Sequence, residues 1–278
     1  MNSPIHLGLS TCPNDTFLAH GLWSGAVDPR GLEIVWHFDD VQALNQGLRA
    51  GRYDVSKASY ALALGMGPEL ITLPVGSALG FGVGPVLLAP PGPRRVDSTA
   101  RVLTPGADTT AHLLLRLLHP EWTQVEHRVF SEILPALADG QADLGVCIHE
   151  GRFTYQDWNL DWVEDFGARY ESETQHPLPL GGLFARESLA PEVRTTLTAV
   201  LAESLEYGHR HRDATLETMA HFAQELAPDV LYQHVDLYVN DWTRDLGPVG
   251  RDAITTLWQR AKAIDWPGAA RGAPRFHG

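Results

Sequence analysis

One pattern occurs twice in this 278-residue chain: a helix-length run, a Gly, an Asp, then a short apolar strand ending on hydrogen-bonding side chains. The first copy runs from Ala43 through Leu48, Gly51 and Asp54 into Val55-Ser56-Lys57-Ala58-Ser59. The second runs from Ile133 through Leu137, Gly140 and Asp143 into Leu144-Gly145-Val146-Cys147-Ile148-His149-Glu150. A single copy is an ordinary helix-to-strand turn. Two copies about a domain length apart point to two α/β lobes, each of whose strands brings polar groups to a shared cleft.

Composition narrows the partners of such a cleft. The formal net charge of -13 opposes a nucleic-acid or anionic-membrane partner unless a local basic patch compensates. Pro93-Arg94-Arg95 and His209-Arg210-His211-Arg212 are too short to be one. Cys12 and Cys147 fall in different halves of the pattern, so neither a disulfide nor a cysteine metal site is expected. The first residues lack the basic-then-apolar arrangement of a signal peptide, and no apolar run is long enough to span a bilayer. A cytoplasmic protein acting on a small molecule is expected, as a monomer or homodimer.

Along the chain, Ile5 to Leu9 fits a buried strand, Ser10 to Thr16 a polar turn, and Phe17 to Trp23 a helix. Leu32 to Phe38 fits a second strand, Val41 to Ala50 a helix, and Tyr60 to Met66 another. Pro90-Pro91-Gly92-Pro93 marks a surface turn near a lobe boundary. Beyond it the strand, polar turn and helix recur at Ala100 to Leu103, Thr104 to Thr110 and Ala111 to Leu118. From Leu189 to Ala263 the apolar spacing is helical. The expected architecture has a discontinuous first lobe, residues 1–88 and 184–278, with a second lobe, residues 89–183, inserted. Two hinge segments join them, as in clamshell binding proteins.

Four places carry the candidate chemistry. His149 ends an apolar strand at the carboxyl edge where ligands of open α/β sheets sit, and its ordinary pKa suits a general base; a structural strand-end histidine is the alternative. Thr109 and Thr110 open a helix, where hydroxyls and free N–H groups together attract a carboxylate; simple N-capping by Asp108 or Thr109 is the alternative. In the Ser10 to Thr16 turn, Asn14, Asp15 and Thr16 read as caps, and Cys12 has no histidine nearby in sequence to activate it. Lys57, with Ala58, Ser59 and Asn45 around it, either meets an anionic ligand or pairs with a carboxylate. Phe153, Tyr155, Trp158 and Trp162 either wall a ring-shaped substrate or pack the lobes.

Taken together, Ser10-Thr11-Cys12-Pro13-Asn14-Asp15-Thr16-Phe17, Asp54 to Tyr60, Gly80 to Pro85, Thr109-Thr110-Ala111, Ile148 to Tyr155, Pro179 to Gly182 and His234 to Asn240 resemble the 1,4-dihydroxy-6-naphthoate synthases of the futalosine route to menaquinone. The resemblance spans nearly the whole chain in order. It implies a type II periplasmic-binding-protein fold used for catalysis without a redox or metal cofactor. The implied reaction is a carbon-carbon lyase step that turns cyclic dehypoxanthine futalosine into 1,4-dihydroxy-6-naphthoate. The family's proton-accepting histidine falls on His149. Its substrate contacts fall on Lys57, Ala58, Ser59, Thr109 and Thr110, with Asn45 and Asp15 near the cleft. Thr11 stands where the family has proline, and Gly151 where it has serine.

Two rivals share the fold. A solute-binding protein without chemistry is expected to carry an export signal or lipid anchor. Chorismate dehydratase, from the same pathway, lacks the Cys-Pro-Asn-Asp-Thr-Phe and Ile-His-Glu motifs. A ligand-sensing module is expected to have an attached DNA-binding or signalling domain, and no helix-turn-helix segment is evident.

Overall fold

The structure, a computed structural model, describes residues 3–93, 95–149, 151–223 and 227–278. Arg94 and Glu150, named above, lie outside the described residues. Among the described residues, twelve strands form two sheets: β1 Ile5–Ser10, β2 Ile34–Asp39, β3 Val55–Ser59, β4 Leu70–Thr72, β5 Ala78–Gly80, β6 Val86–Ala89, β7 Arg101–Thr104, β8 Gln124–His127, β9 Leu144–Cys147, β10 Asp161–Asp165, β11 Leu178–Arg186 and β12 Arg275–Phe276. The first sheet has the order β12-β4-β11-β3-β1-β2, with β5 also on β11; the second has the order β10-β6-β9-β7-β8.

The two sheets repeat one plan. In the first, β1 pairs in parallel with β2 and β3, and β11 runs antiparallel to β3. In the second, β7 pairs in parallel with β8 and β9, and β6 runs antiparallel to β9. The antiparallel member in each case is a strand the chain inserts on crossing from the other lobe. The boundaries at 88/89 and 183/184 drawn from sequence fall inside β6 and β11, each of which lies whole in one sheet.

The duplicated pattern is duplicated in three dimensions. Gly51 and Gly140 follow their helices with φ of 81° and 69°, the left-handed geometry that releases a chain from a helix and that glycine adopts without a Cβ clash. Asp54 then accepts the backbone N–H of His6 in β1 at 2.8 Å, and its own N–H donates to the His6 carbonyl. Asp143 does the same for Arg101 in β7, also at 2.8 Å. Each Asp thus sets the register between its own strand and its parallel neighbour, β1 or β7.

Both faces of the first sheet are covered, as its parallel β3-β1-β2 segment requires. Leu7 and Leu9 pack with Phe17, Leu18, Leu197, Leu201 and Leu205 of helices Pro13–Trp23 and Pro191–Arg210. Leu44, Leu48, Leu62, Ile254 and Leu257 cover the other face from helices Val41–Arg49, Tyr60–Met66 and Gly247–Ala263. The crossings touch at Gly84 and Gly167, where a Cβ on Gly84 would come 2.2 Å from the Gly167 Cα. Arg152 holds this junction, donating to the Gly84 carbonyl at 2.6 Å and to Asp165 at 2.7 Å.

Candidate functional site

The polar turn after β1 does not cap its helix in the expected way. Cys12 is the N-cap residue, Pro13 occupies the first turn, and Asn14, Asp15 and Thr16 lie within the helix. Asp15 is thereby free to turn back: its carboxylate accepts the Ser10 N–H at 3.1 Å, the Ser10 hydroxyl at 2.6 Å and the Asn14 amide at 2.8 Å. It also meets Lys57 Nζ at 2.5 Å, with side-chain exposures of 1% and 7%. Lys57 donates further to the Gly76 carbonyl at 3.0 Å. Of the two fates open to this lysine, the carboxylate pair is the one seen. Paired and hydrogen-bonded in this way, both charges are tolerated out of water.

Asn45 is fully buried in the helix Val41–Arg49 and works as a clamp. Its Oδ1 accepts the Ser59 N–H at 2.9 Å, and its amide nitrogen donates to the Ser59 hydroxyl at 3.2 Å and to the Asp108 carbonyl of the other lobe at 3.4 Å. Arg49 reaches the Asp108 carboxylate alongside. Thr109 caps the helix Thr110–Leu118 by accepting the His112 N–H and gives its own proton to the Gly106 carbonyl. The Thr110 hydroxyl spans the lobes, accepting the Ala61 N–H and donating to the Leu180 carbonyl at 2.6 Å. The threonine hydroxyls are therefore engaged. The N–H groups of Thr110 and Ala111 have no hydrogen-bond partner among the described residues, so the donors left for an anion are backbone amides at a helix start.

These elements enclose a cavity between the lobes. Ser10, Lys57, Ala58 and Ser59 line it from the first lobe, Thr109, Thr110, Ala111, Ile148 and His149 from the second, and Val83 and Pro85 from a crossing segment. Asn45 and Asp15, expected near the cleft, do not line it; they hold Ser59 and Lys57, which do. Phe153, Tyr155, Trp158 and Trp162 are absent from its wall. Trp162 instead stacks edge-on with Tyr155 and lies under Arg152 near the hinge. The ring that does meet His149 edge-on is Phe130, at 4.9 Å.

His149 follows β9 with φ of 55°, a left-handed conformation that costs a non-glycine residue about 1–2 kcal/mol. The surrounding fold holds it there. Protein packs round the imidazole, while its open edge on the cavity leaves it partly exposed. Burial lowers its pKa to about 4; Asp15 raises it and Lys57 lowers it by smaller amounts. At neutral pH the ring is uncharged and able to accept a proton. Cys12 Sγ lies 3.4 Å from Nδ1 and 3.7 Å from Nε2, a contact across the cleft that the sequence separation of 137 residues conceals. Gly151 is buried, and a Cβ there would meet Cys147 and Leu134 at 3.5 Å, ordinary contact distances.

Among the lining residues, a histidine and a tyrosine were given no role from sequence. His234 and Tyr238 sit four apart on the helix Pro228–Tyr238, hence on one face, and that face closes the cavity. His234 stacks at 5.9 Å and 20° on His149. The i, i+4 spacing of a histidine and a tyrosine was the available signal. Among the described residues, no helix is long and apolar enough to cross a membrane, and no group of three or more His, Cys, Asp or Glu is arranged to hold a metal ion.

Comparison with known proteins matches this architecture. Over 95% of this chain and 94% of the other, the fold superposes with a TM-score of 0.71 on the alkanesulfonate-binding protein SsuA from Xanthomonas axonopodis pv. citri, at 15% identity. The fold is that of the periplasmic binding proteins. A 1,4-dihydroxy-6-naphtoate synthase from Thermus thermophilus is 39% identical over 98% of this chain and 97% of its own length. One from Streptomyces coelicolor is 37% identical over 93% of each. The family model described as menaquinone biosynthesis matches residues 5–263, and the chain belongs to that family.

Proposed function

We propose that this protein converts cyclic dehypoxanthine futalosine to 1,4-dihydroxy-6-naphthoate, with His149 as the general base of a carbon-carbon lyase reaction. The observation that carries this reading is the pairing, on one enclosed cavity, of a neutral imidazole with unpartnered amides at a helix start. The amides of Thr110 and Ala111 receive the aromatic carboxylate, with the helix dipole adding to the attraction. Lys57 lies on the facing wall with its charge matched by Asp15, so the amides and not the lysine provide the anion site. His149 removes a proton from the bound substrate, and the sugar-derived fragment leaves as a carbon-carbon bond breaks and the second ring becomes aromatic. General-base catalysis of this kind is typically worth ~10²- to 10⁴-fold. The names and identities of the relatives support the choice of reaction.

The test is incubation of the purified protein with cyclic dehypoxanthine futalosine, with the dihydroxynaphthoate detected by mass. Chorismate, run in parallel, separates the two pathway activities. Unchanged substrate that nevertheless binds would replace the enzyme reading with a binding role.

A further inference from the structure

His234 is 2% exposed, lines the cavity and has a single hydrogen bond among the described residues. That bond fixes which of its nitrogens carries the proton. Asp15 is an acceptor already holding Ser10 and Lys57, so the side chain of Asn14 must turn its NH₂ toward it, at 2.8 Å. The Asn14 oxygen then faces His234 Nε2 at 3.0 Å, and an amide oxygen can only accept. The proton therefore sits on Nε2. Nδ1 is left as a lone-pair acceptor, on a ring that burial, His149 and Lys57 all keep uncharged.

We infer that His234 Nδ1 accepts a hydrogen bond from a hydroxyl of the bound molecule, making it a specificity-determining contact that neither the sequence motifs nor the relatives' names assign. An unprotonated imidazole nitrogen demands a donor. A cationic donor is disfavoured beside Lys57, whereas a hydroxyl brings no charge. With amides at the start of the helix Thr110–Leu118 and this acceptor on the helix Pro228–Tyr238, the cavity selects an aromatic acid with a carboxylate at one end and a hydroxyl at the other. Asp15, already the partner of Lys57, acts at a distance as the group that orients Asn14 and so His234. The inference rests on the proposed reading of the cavity as the site for a hydroxylated naphthoate or its precursor.

The test compares two probes on the full chain by calorimetry without oxygen: 1,4-dihydroxy-6-naphthoate and 2-naphthoate, which has the same ring and carboxylate but no hydroxyl. The dihydroxy acid should bind at least about 10-fold tighter. His234→Gln, which keeps a donor for Asn14 and removes the Nδ1 acceptor, should reduce that preference to about 2-fold or less by weakening the dihydroxy acid alone. His234→Asn, which keeps an acceptor near the Nδ1 position, should retain it. ¹⁵N spectra of histidine-labelled wild-type protein give an arm independent of any variant's folding. They should show His234 as the Nε2–H tautomer, with Nδ1 moving on addition of the dihydroxy acid and not of 2-naphthoate. An Nδ1–H tautomer, an unmoved Nδ1, or a preference unchanged in His234→Gln overturns the role of His234 and leaves the proposed function standing. Failure of both naphthoates to bind wild-type protein overturns the function reading and this inference with it.

Discussion

The two copies of the repeated pattern are alike where they build the scaffold and unlike where they meet the cavity. Asp54 and Asp143 make the same pair of backbone contacts to the parallel neighbour strand, β1 or β7, with the same 2.8 Å bond to the strand amide. Past that point they diverge. The first copy ends in Lys57 and Ser59, buried and already satisfied by Asp15, Gly76 and Asn45. The second ends in His149, held in a left-handed backbone conformation and open to the cavity. Duplication of a strand and its register supplies two walls, one carrying a buried ion pair and the other an imidazole open to the cavity.

The sharpest way to break this contrast is to remove one member of the ion pair. Lys57→Met leaves Asp15 as a buried carboxylate without its cation, which should destabilise the fold by about 3–5 kcal/mol. Thermal unfolding should then move down on the order of 10 °C. Adding Asp15→Asn should recover part of the loss, because the isolated charge and not the missing contact is the main cost. A single variant as stable as wild type would mean that the pair is not buried as described.

The complementary change is on the wall that carries His149. His149→Asn should lower turnover by at least about 100-fold while barely altering the melting temperature, since asparagine tolerates the left-handed backbone. Near-normal turnover would remove His149 from the base role. The same histidine sets a pH dependence. Its pKa is about 4 when folded and near its ordinary value when unfolded, so between those values the unfolded chain binds the extra proton. Stability therefore rises with pH through that window and is lost as pH falls toward 4. The acid limb of kcat/KM should lie near pH 4 to 5 and not near 6.5. His149→Asn should lose less stability than wild type between pH 7 and pH 5, a difference read by melting at the two pH values.

The scaffold was legible because its signals are local. The spacing of Leu48, Gly51 and Asp54, repeated at Leu137, Gly140 and Asp143, is a helix end, a left-handed release and a strand start, and each step depends on near neighbours. The lobe boundaries were harder to read, because β6 and β11 up to Ala185 carry no polar side chain that marks where the chain crosses. The site was legible in part. His149, Thr109 and Thr110 sit at element ends that period and capping rules locate, and they line one cavity. Asp15 was read as a cap because its real partners, Ser10 through a reversed turn and Lys57 at a separation of 42, require the fold. His234 depends on Asn14, 220 residues away, and Cys12 meets His149 only across the cleft.

The mildest test addresses the likeness itself. Asp54→Ala and Asp143→Ala each remove a carboxylate that accepts a strand N–H, while the backbone N–H of the same residue keeps its bond to the strand carbonyl. Both sites are partly solvated, so water can replace the lost acceptor, and each change should cost about 1 kcal/mol or a shift of ~2 °C. Asp143 also meets Arg101 at 3.5 Å, but that pair is exposed on the arginine side and adds little. Equal costs in the two lobes, measured by denaturant titration, would mean that the copies are energetic as well as geometric equivalents. A cost several-fold larger in one lobe would locate the stability of the molecule there and reduce the repeat to a likeness of shape.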